Sequence, residues 1–397
     1  MESSSSRSYL PQHLLEEILK RLPVKSILRF KCLNKSWFTL FQDPTFIAKH
    51  HSCSQSQNNN PTLLLKRLDD ITKKIVMSLH PNNPDSDSGV ELLNLTDMPY
   101  FEKFRYLDIL GGSCINGIIC LYESWYDDSF PTFLWNPAIK EFKVLPTRPV
   151  HCPSHVQRTI DGLGFGYDHK SHDHKVVRIV TFRDVRPYSD SNGPYCPPLV
   201  EVYTLSTDSW RQTEAGLDAS VKAIYCRSQF YLNGAYHWHG SIHDRPYDVI
   251  VSFDMTTEIF QIIRLPNLDD NDNASESKVF WPEFSVFHNC IAMIIYDLKQ
   301  TVTEKIFEIW VMHEYGVEES WTKQFVIGPL LGIQFPLGFA KNDELLLVDS
   351  SRQLVSYNSN AQEIKSLQVR GLLQAPQAIV YNESLVSIMG GKTTCIP

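Results

Sequence analysis

At 397 residues the chain exceeds one ordinary domain and suits a small domain joined to a large one. With 43% hydrophobic and 21% charged residues it buries a core instead of staying disordered, and it lacks the run of about 18 apolar residues that a membrane-crossing helix needs. Residues 10–51 carry a net charge of +4 and residues 52–397 a net −12, which argues against nucleic-acid binding by the larger part and fits a basic protein partner.

The first eight residues are serine-rich and lack the basic-then-apolar layout of a signal peptide. Nine cysteines are scattered with no CxxC pair, as expected in a reducing compartment, the cytoplasm or the nucleus. From Leu10 the pattern is helical. Leu14, Leu15, Ile18, Leu19 and Leu22 recur at helical spacing, with Pro11 in the first turn and Pro23 as a stop. A second helix is expected over Lys25–Cys32 and a third over Lys35–Gln42 with Asn34 as its cap. Asp43-Pro44 marks a boundary, and Phe46-Ile47 belong to a last turn. The polar stretch 52–61, SCSQSQNNNP, reads as a linker.

Beyond it, short apolar runs rich in Val, Ile, Tyr, Phe and Trp alternate with turn residues, so residues 62–397 form a large all-β domain. A weak repeat recurs at 133–146, 200–214, 250–266, 307–327 and 354–371: a strand, a polar turn and a second strand, often opened by an aromatic. The spacing suits one such hairpin per blade of a β-propeller with six or seven blades, a β-sandwich being the alternative. Two stretches read as surface loops, the proline-rich 184–198 and the acidic 267–278.

The segment LPQHLLEEILKRLPVKSILRFKCLNKSWFTLFQDPTFIAKHH resembles the plant F-box. It carries in order Leu10-Pro11, Leu22-Pro23, Lys25-Ser26, Arg29-Phe30, Cys32, Lys35-Ser36-Trp37, Asp43-Pro44 and Phe46. The remainder is similar to the F-box-associated interaction domain, and LWNPAIKEFKVLP, GLGFGYDHKSHDHKVVRI, VYTLSTDSWR and VSFDMTTEIF are most similar to the S-locus F-box proteins of self-incompatible plants. The resemblance implies an F-box of three to four short helices at 8–51, the linker at 52–61, and a kelch-like, substrate-binding β domain at 62–397. It implies a non-catalytic substrate receptor of an SCF-type ubiquitin ligase, bound to an SKP-family adaptor and through it to a cullin scaffold, that receives a protein for ubiquitination. The S-locus likeness implies that this target is a basic S-RNase in pollen, with a paralogous receptor for another regulatory protein as the alternative.

The adaptor face is expected to draw on Leu10, Pro11, Leu14, Leu15, Ile18, Leu19, Leu22, Pro23, Ile27 and Leu28, some of which must instead form the F-box core. Asp269, Asp270, Asp272 and Glu276 concentrate negative charge and are candidates for the substrate face. His169, His172 and His174, and likewise His237, His239 and His243, cluster in sequence but read as turn and strand residues, not metal ligands. Gly162, Gly164 and Gly166 lack the spacing and the following helix of a phosphate loop. Trp135, Trp210, Trp310 and Trp321 are expected to pack between strands or blades. No nucleophile with its base is evident, so no catalytic residue, metal or cofactor is expected. A lectin module or an oxidase-like propeller would need exposed stacking aromatics or a converging metal set.

Overall fold

The computed structural model describes residues 11–57, 62–68, 74–81, 90–94, 107–112, 114–123, 131–148, 153–184, 186, 197–218, 220–242, 245–266, 268, 282–297, 304–340, 343–367, 369 and 376–389. Four helices come first: α1 (Gln12–Leu19), α2 (Val24–Lys31), α3 (Lys35–Leu40) and α4 (Pro44–Gln57). Pro11 and Pro23 stand just before α1 and α2 with ψ of 140° and 147°, so their fixed φ enters each helix without wasting an amide donor. The Asn34 side chain caps α3 by accepting from the amides of Ser36 (2.6 Å) and Trp37 (3.2 Å). Asp43 does the same for α4 through Thr45 (2.7 Å) and Phe46 (3.4 Å).

The fourth helix corrects the expected boundary. It runs for 14 residues to Gln57, so 52–57 is helix and not linker, while 58–61 lie outside the described residues. No Gly or Pro interrupts 45–57, and His50 anchors the helix by a 2.9 Å bond from Nε2 to the Leu22 carbonyl.

The β region forms six antiparallel sheets of four strands each, radiating as propeller blades. In chain order, β1 (Thr62–Leu68), β2 (Ile75–Pro81) and β3 (Val90–Asn94) lead into the second blade, β4 (Leu107–Ile109), β5 (Ile119–Glu123), β6 (Thr132–Asn136) and β7 (Glu141–Val144). The third blade is β8 (Val156–Asp168), β9 (Asp173–Asp184), β10 (Leu199–Thr204) and β11 (Ser209–Gln212). The fourth is β12 (Val221–Leu232), β13 (Ala235–Ile242), β14 (Arg245–Asp254) and β15 (Phe260–Arg264). The fifth is β16 (Glu283–Phe287), β17 (Cys290–Ile295), β18 (Glu304–Met312) and β19 (Trp321–Leu331), and the sixth is β20 (Ile333–Phe339), β21 (Leu345–Asp349), β22 (Leu354–Asn358) and β23 (Glu363–Ser366). The last strand, β24 (Gln377–Tyr381), returns to pair with β1 from Thr62↔Tyr381 to Lys66↔Gln377 and becomes the inner strand of the first blade.

Each of the five repeats is the outer hairpin of one blade, its third and fourth strands. Their turns are made locally. Asp254 Oδ1 accepts from the amides of Thr256 (2.9 Å) and Thr257 (2.6 Å), and Asn358 Oδ1 accepts from Asn360 and Ala361 (both 3.0 Å).

Blade seams explain two further sequence features. Gly162, Gly164 and Gly166 lie within β8, not in a turn; a Cβ on Gly164 would meet Trp238 and Tyr236 of the fourth blade at 2.8 Å. Tryptophans tie three successive seams by donating to the preceding blade: Trp210 Nε1 to the Pro146 carbonyl (2.8 Å), Trp238 to Leu163 (2.9 Å) and Trp321 to Arg264 (3.0 Å). Trp135 is buried in the core of the first and second blades, and Trp310 lies beneath Lys323. Among the described residues, no helix is long and apolar enough to cross a membrane.

Gly164→Ala should therefore destabilise the protein by about 1–3 kcal/mol through overpacking. Gly216→Ala, where a Cβ meets nothing within 4 Å, should shift stability by less than about 0.5 kcal/mol. Urea or thermal unfolding of both variants checks this pair; equal effects would mean that the seam is not close-packed at β8.

Candidate functional site

The helices divide the apolar residues between core and surface. Leu19 (2% exposed), Val24, Ile27 (0%), Phe41 and Phe46 form the F-box core, with Leu15, Leu22 and Leu28 half-buried against it. Leu19 and Ile27, expected on the adaptor face, are instead buried in this core. Leu14 and Ile18, one turn apart on α1, remain 43% and 49% exposed, and Pro11 and Pro23 are exposed beside them. Leu10 lies outside the described residues. Sequence periodicity missed Leu33 (67% exposed) and Phe38 (44%), which add apolar surface after α2 and on α3.

The F-box is seated on the propeller. Leu385, Ala138 and Ile139 of the β domain belong to the same apolar cluster as Leu19, Val24 and Ile27. The Val24 amide donates to Glu383 Oε2 (3.3 Å), and the half-buried imidazole of His51 is depressed by burial in spite of its bond at Glu383. The platform is the chain after β24. Asn136 Nδ2 donates to the carbonyls of Ser384 (3.1 Å) and Val386 (2.8 Å), and Glu141 Oε2 accepts from the Ile388 amide (2.7 Å) and the Ser387 hydroxyl (2.8 Å). Gly117, at φ +80°, lets this segment approach, since a Cβ there would lie 2.2 Å from that of Ser384.

This docking gives the propeller two unlike faces. Inner-strand ends and the turns of the outer hairpins, such as Ala138–Ile139, lie toward the F-box. Antiparallel order then sends the links between second and third strands, and between blades, to the far face. The described ends flanking both expected loops, Asp184 and Leu199 for one and Arg264 and Glu283 for the other, belong to such links. Asp269, Asp270, Asp272 and Glu276 themselves lie outside the described residues. Between the inner strands is a central cavity of about 1130 Å³ with a mixed lining that includes Asp108, Glu283, His288, Lys305 and Gln377.

The histidines are individually housed. His174 is buried against Phe165 and Tyr167, and burial pushes it down to about 4. His172 occupies the left-handed turn between β8 and β9, at φ 55°, while His169 packs edge-on to Tyr167. His237 stacks on Phe230 at 4.5 Å, bonds the Tyr315 hydroxyl (2.7 Å), and is pushed down to about 3 by burial. His239 is buried beside Phe284, and His243 lies outside the described residues. Among the described residues, no three His, Cys, Asp or Glu side chains converge as a metal site would require.

His174 and His237 make stability depend on pH. Both stay neutral in the folded chain well below the ordinary imidazole value of about 6.5, so the unfolded chain binds more protons as pH falls beneath that value. Stability should fall from about pH 6.5 toward pH 4, by roughly 2 kcal/mol per histidine at pH 5. Thermal unfolding at pH 7.5 and pH 5 measures it, and His174→Phe should remove its share of the loss; an unchanged slope would contradict the neutral assignment.

Comparison with known proteins agrees with this architecture. Residues 71–388 match the model of the F-box associated beta propeller domain, and residues 8–49 match that of the F-box domain. The Arabidopsis thaliana F-box protein CPR1 is 27% identical over 401 residues, covering 95% of this chain and 88% of that protein. An F-box/kelch-repeat protein of the same plant is 25% identical, covering 95% of each chain. Among solved structures, TolB from Acinetobacter baumannii aligns with a TM-score of 0.45 at 11% identity, covering 84% of this chain and 71% of that one. Six four-stranded blades closed by their own ends, with a capped helical F-box seated on one face, place the chain in the family of plant F-box proteins with an F-box-associated β-propeller domain.

Proposed function

We propose that this chain is the substrate-recognition subunit of an SCF-type ubiquitin ligase, binding an SKP-family adaptor through its F-box and a target protein through its propeller. The observation that carries the reading is the seating of the F-box by Leu385, Ala138 and Ile139, which leaves Leu14, Ile18, Leu33 and Phe38 uncovered. An exposed apolar helix face of this kind gains from burial against a partner's helices. In this reading the chain performs no chemistry. It holds a target at a set place relative to the subunits that transfer ubiquitin, raising the target's local concentration there.

The finer reading is that the target is a basic S-RNase. It rests on the S-locus-like phrases in the repeats and on the net −12 of residues 52–397. Affinity purification from pollen and from leaf, followed by identification of the co-purifying proteins, separates this reading from that of a paralogue acting elsewhere.

Leu14→Asp with Ile18→Asp should weaken co-precipitation with the adaptor at least about 100-fold, given roughly 1.5–3 kcal/mol per buried side chain, and should leave the thermal unfolding of the propeller unchanged. Full adaptor binding by the double variant would overturn the assignment. For a basic ribonuclease, association should slow as salt rises, and charge reversal at Asp269, Asp270, Asp272 and Glu276 should slow it further with little change in dissociation. Salt-independent association, identical in the variant, would remove electrostatic steering.

A further inference from the structure

Among the described residues, the third blade carries a group of charges that does not balance. Arg178 on β9 and Glu201 on β10 face each other across the sheet, with Arg178 Nε donating to Glu201 Oε2 at 2.6 Å. Arg148, in the connection from β7 to β8, brings Nη1 to 3.0 Å from Glu201 Oε1, an ion pair whose alignment falls short of a hydrogen bond. Arg158 on β8 stands opposite Phe182, which shares a face of β9 with Arg178, so it points to the same side of the sheet. Trp210 holds the Arg178 guanidinium 4.2 Å above its ring, and its own indole is tied to the second blade. Among the described residues, Arg178 and Arg148 thus both meet one carboxylate, Glu201, which is itself 0% exposed, and Arg158 stands near enough for its charge to lower the proton affinity of Arg178.

One carboxylate offsets one arginine, and an arginine does not shed its charge. Arg178 is 5% exposed, yet its Nη2 finds no acceptor among the described residues, and neither do the buried Nε and Nη2 of Arg158. Burial most of all, and after it the charges of Arg158 and Arg148, depress the proton affinity of Arg178 against the pull of Glu201. Buried donors left without acceptors are a standing cost that a suitable anion removes.

We propose that this seam receives a tetrahedral oxyanion presented by the captured protein, a phosphorylated side chain held between Arg148, Arg158 and Arg178. A phosphate monoester carries a charge near −2 and three acceptor oxygens, which matches the two unbalanced arginines and their vacant N–H groups. Glu201 engages Arg178 through Nε, so Nη2 is left for the incoming group. Access is from the Arg148 side, whose side chain is 42% exposed and stands on a link between blades, the kind of link that forms the face away from the F-box. The capture role rests on the substrate-receptor reading; the anion site does not.

The test uses the full chain and begins with inorganic phosphate. Thermal unfolding in potassium phosphate against potassium chloride at equal ionic strength should show a saturable rise of about 2–4 °C. Arg158→Met, which replaces an unbalanced cation by an apolar chain of similar length, should unfold no lower than wild type in chloride and should lose the phosphate response. In a second arm, the immobilised protein is offered a degenerate peptide library with one fixed phosphoserine and the same library with serine. Retention of the phosphorylated library at least about tenfold above the other, abolished in Arg158→Met, is the expected result. Equal stabilisation by phosphate and chloride, or an undiminished response in Arg158→Met, overturns the site. Stabilisation by phosphate without discrimination between libraries overturns presentation by a protein and leaves a free-ion site. Neither arm contains a ligase subunit, so failure of the receptor reading would show separately, as loss of adaptor binding.

Discussion

The pairing of β24 with β1 is the contact on which the rest of the molecule depends. It joins Gln377–Tyr381 to Thr62–Leu68, more than 300 residues apart in the chain, and makes the first blade from both ends of the domain. Until it forms, the ring has two open edges and every seam next to them is incomplete. Closing so long a loop is entropically costly, although the cost grows only slowly with length. The return comes from the Leu64, Met77, Ile379 and Tyr381 cluster that the pairing buries together with Phe133 and Trp135.

Closure also sets the position of the F-box. It brings Thr62, where the β domain begins, beside Tyr381, where the last strand ends, so the helices and the terminal platform emerge at one face. Asn136 and Glu141 then fix the course of 384–388 and present Leu385 to the helical core. The two domains share that core, so the direction of the exposed Leu14–Ile18 face relative to the propeller follows from packing. A receptor that must deliver its target to another subunit gains from such a fixed direction, because a flexible joint would dilute the effective concentration of the target.

The seams show how polar groups are used once the apolar packing is in place. Tryptophan N–H groups reach carbonyls of the preceding blade, satisfying a donor that would otherwise be buried unmade. Lys175 bridges the third and fourth blades, meeting Asp168 (2.8 Å), Glu258 (2.9 Å) and the Met255 carbonyl (2.7 Å). Burial pushes the Asp168 carboxyl up, but the bonds from Lys175 and Ser171 outweigh it and hold it well below the usual carboxylate range. That network is matched, cation to anion, whereas the Arg148, Arg158, Arg178 and Glu201 group at the neighbouring seam is not. The proposed oxyanion site rests on this contrast.

Much of this was legible in the residues alone. Leu-Pro pairs, the Asn34 cap and the helical recurrence of leucine specify the F-box helices because those signals act within one turn of backbone. The hairpins were legible for the same reason: in three of the five, Asn136, Asp254 and Asn358 close the turn by bonding amides two or three residues on. Blade number was not legible, because it depends on the lengths of links that carry no periodicity and on a closing strand with no neighbour in sequence. Periodicity marked Leu14, Leu15, Ile18 and Leu19 alike; only the placement of α2, α4 and Leu385 decided that Leu19 is core and that Leu14 and Ile18 are surface. The arginine group lay beyond sequence reading altogether, since its members come from a connection and two strands and meet only when the strands of the third blade pair in register. The sequence by itself determined which local elements form, through interactions a few residues long; the tertiary structure decided which of their side chains face a partner, because burial is a property of what arrives from elsewhere in the chain.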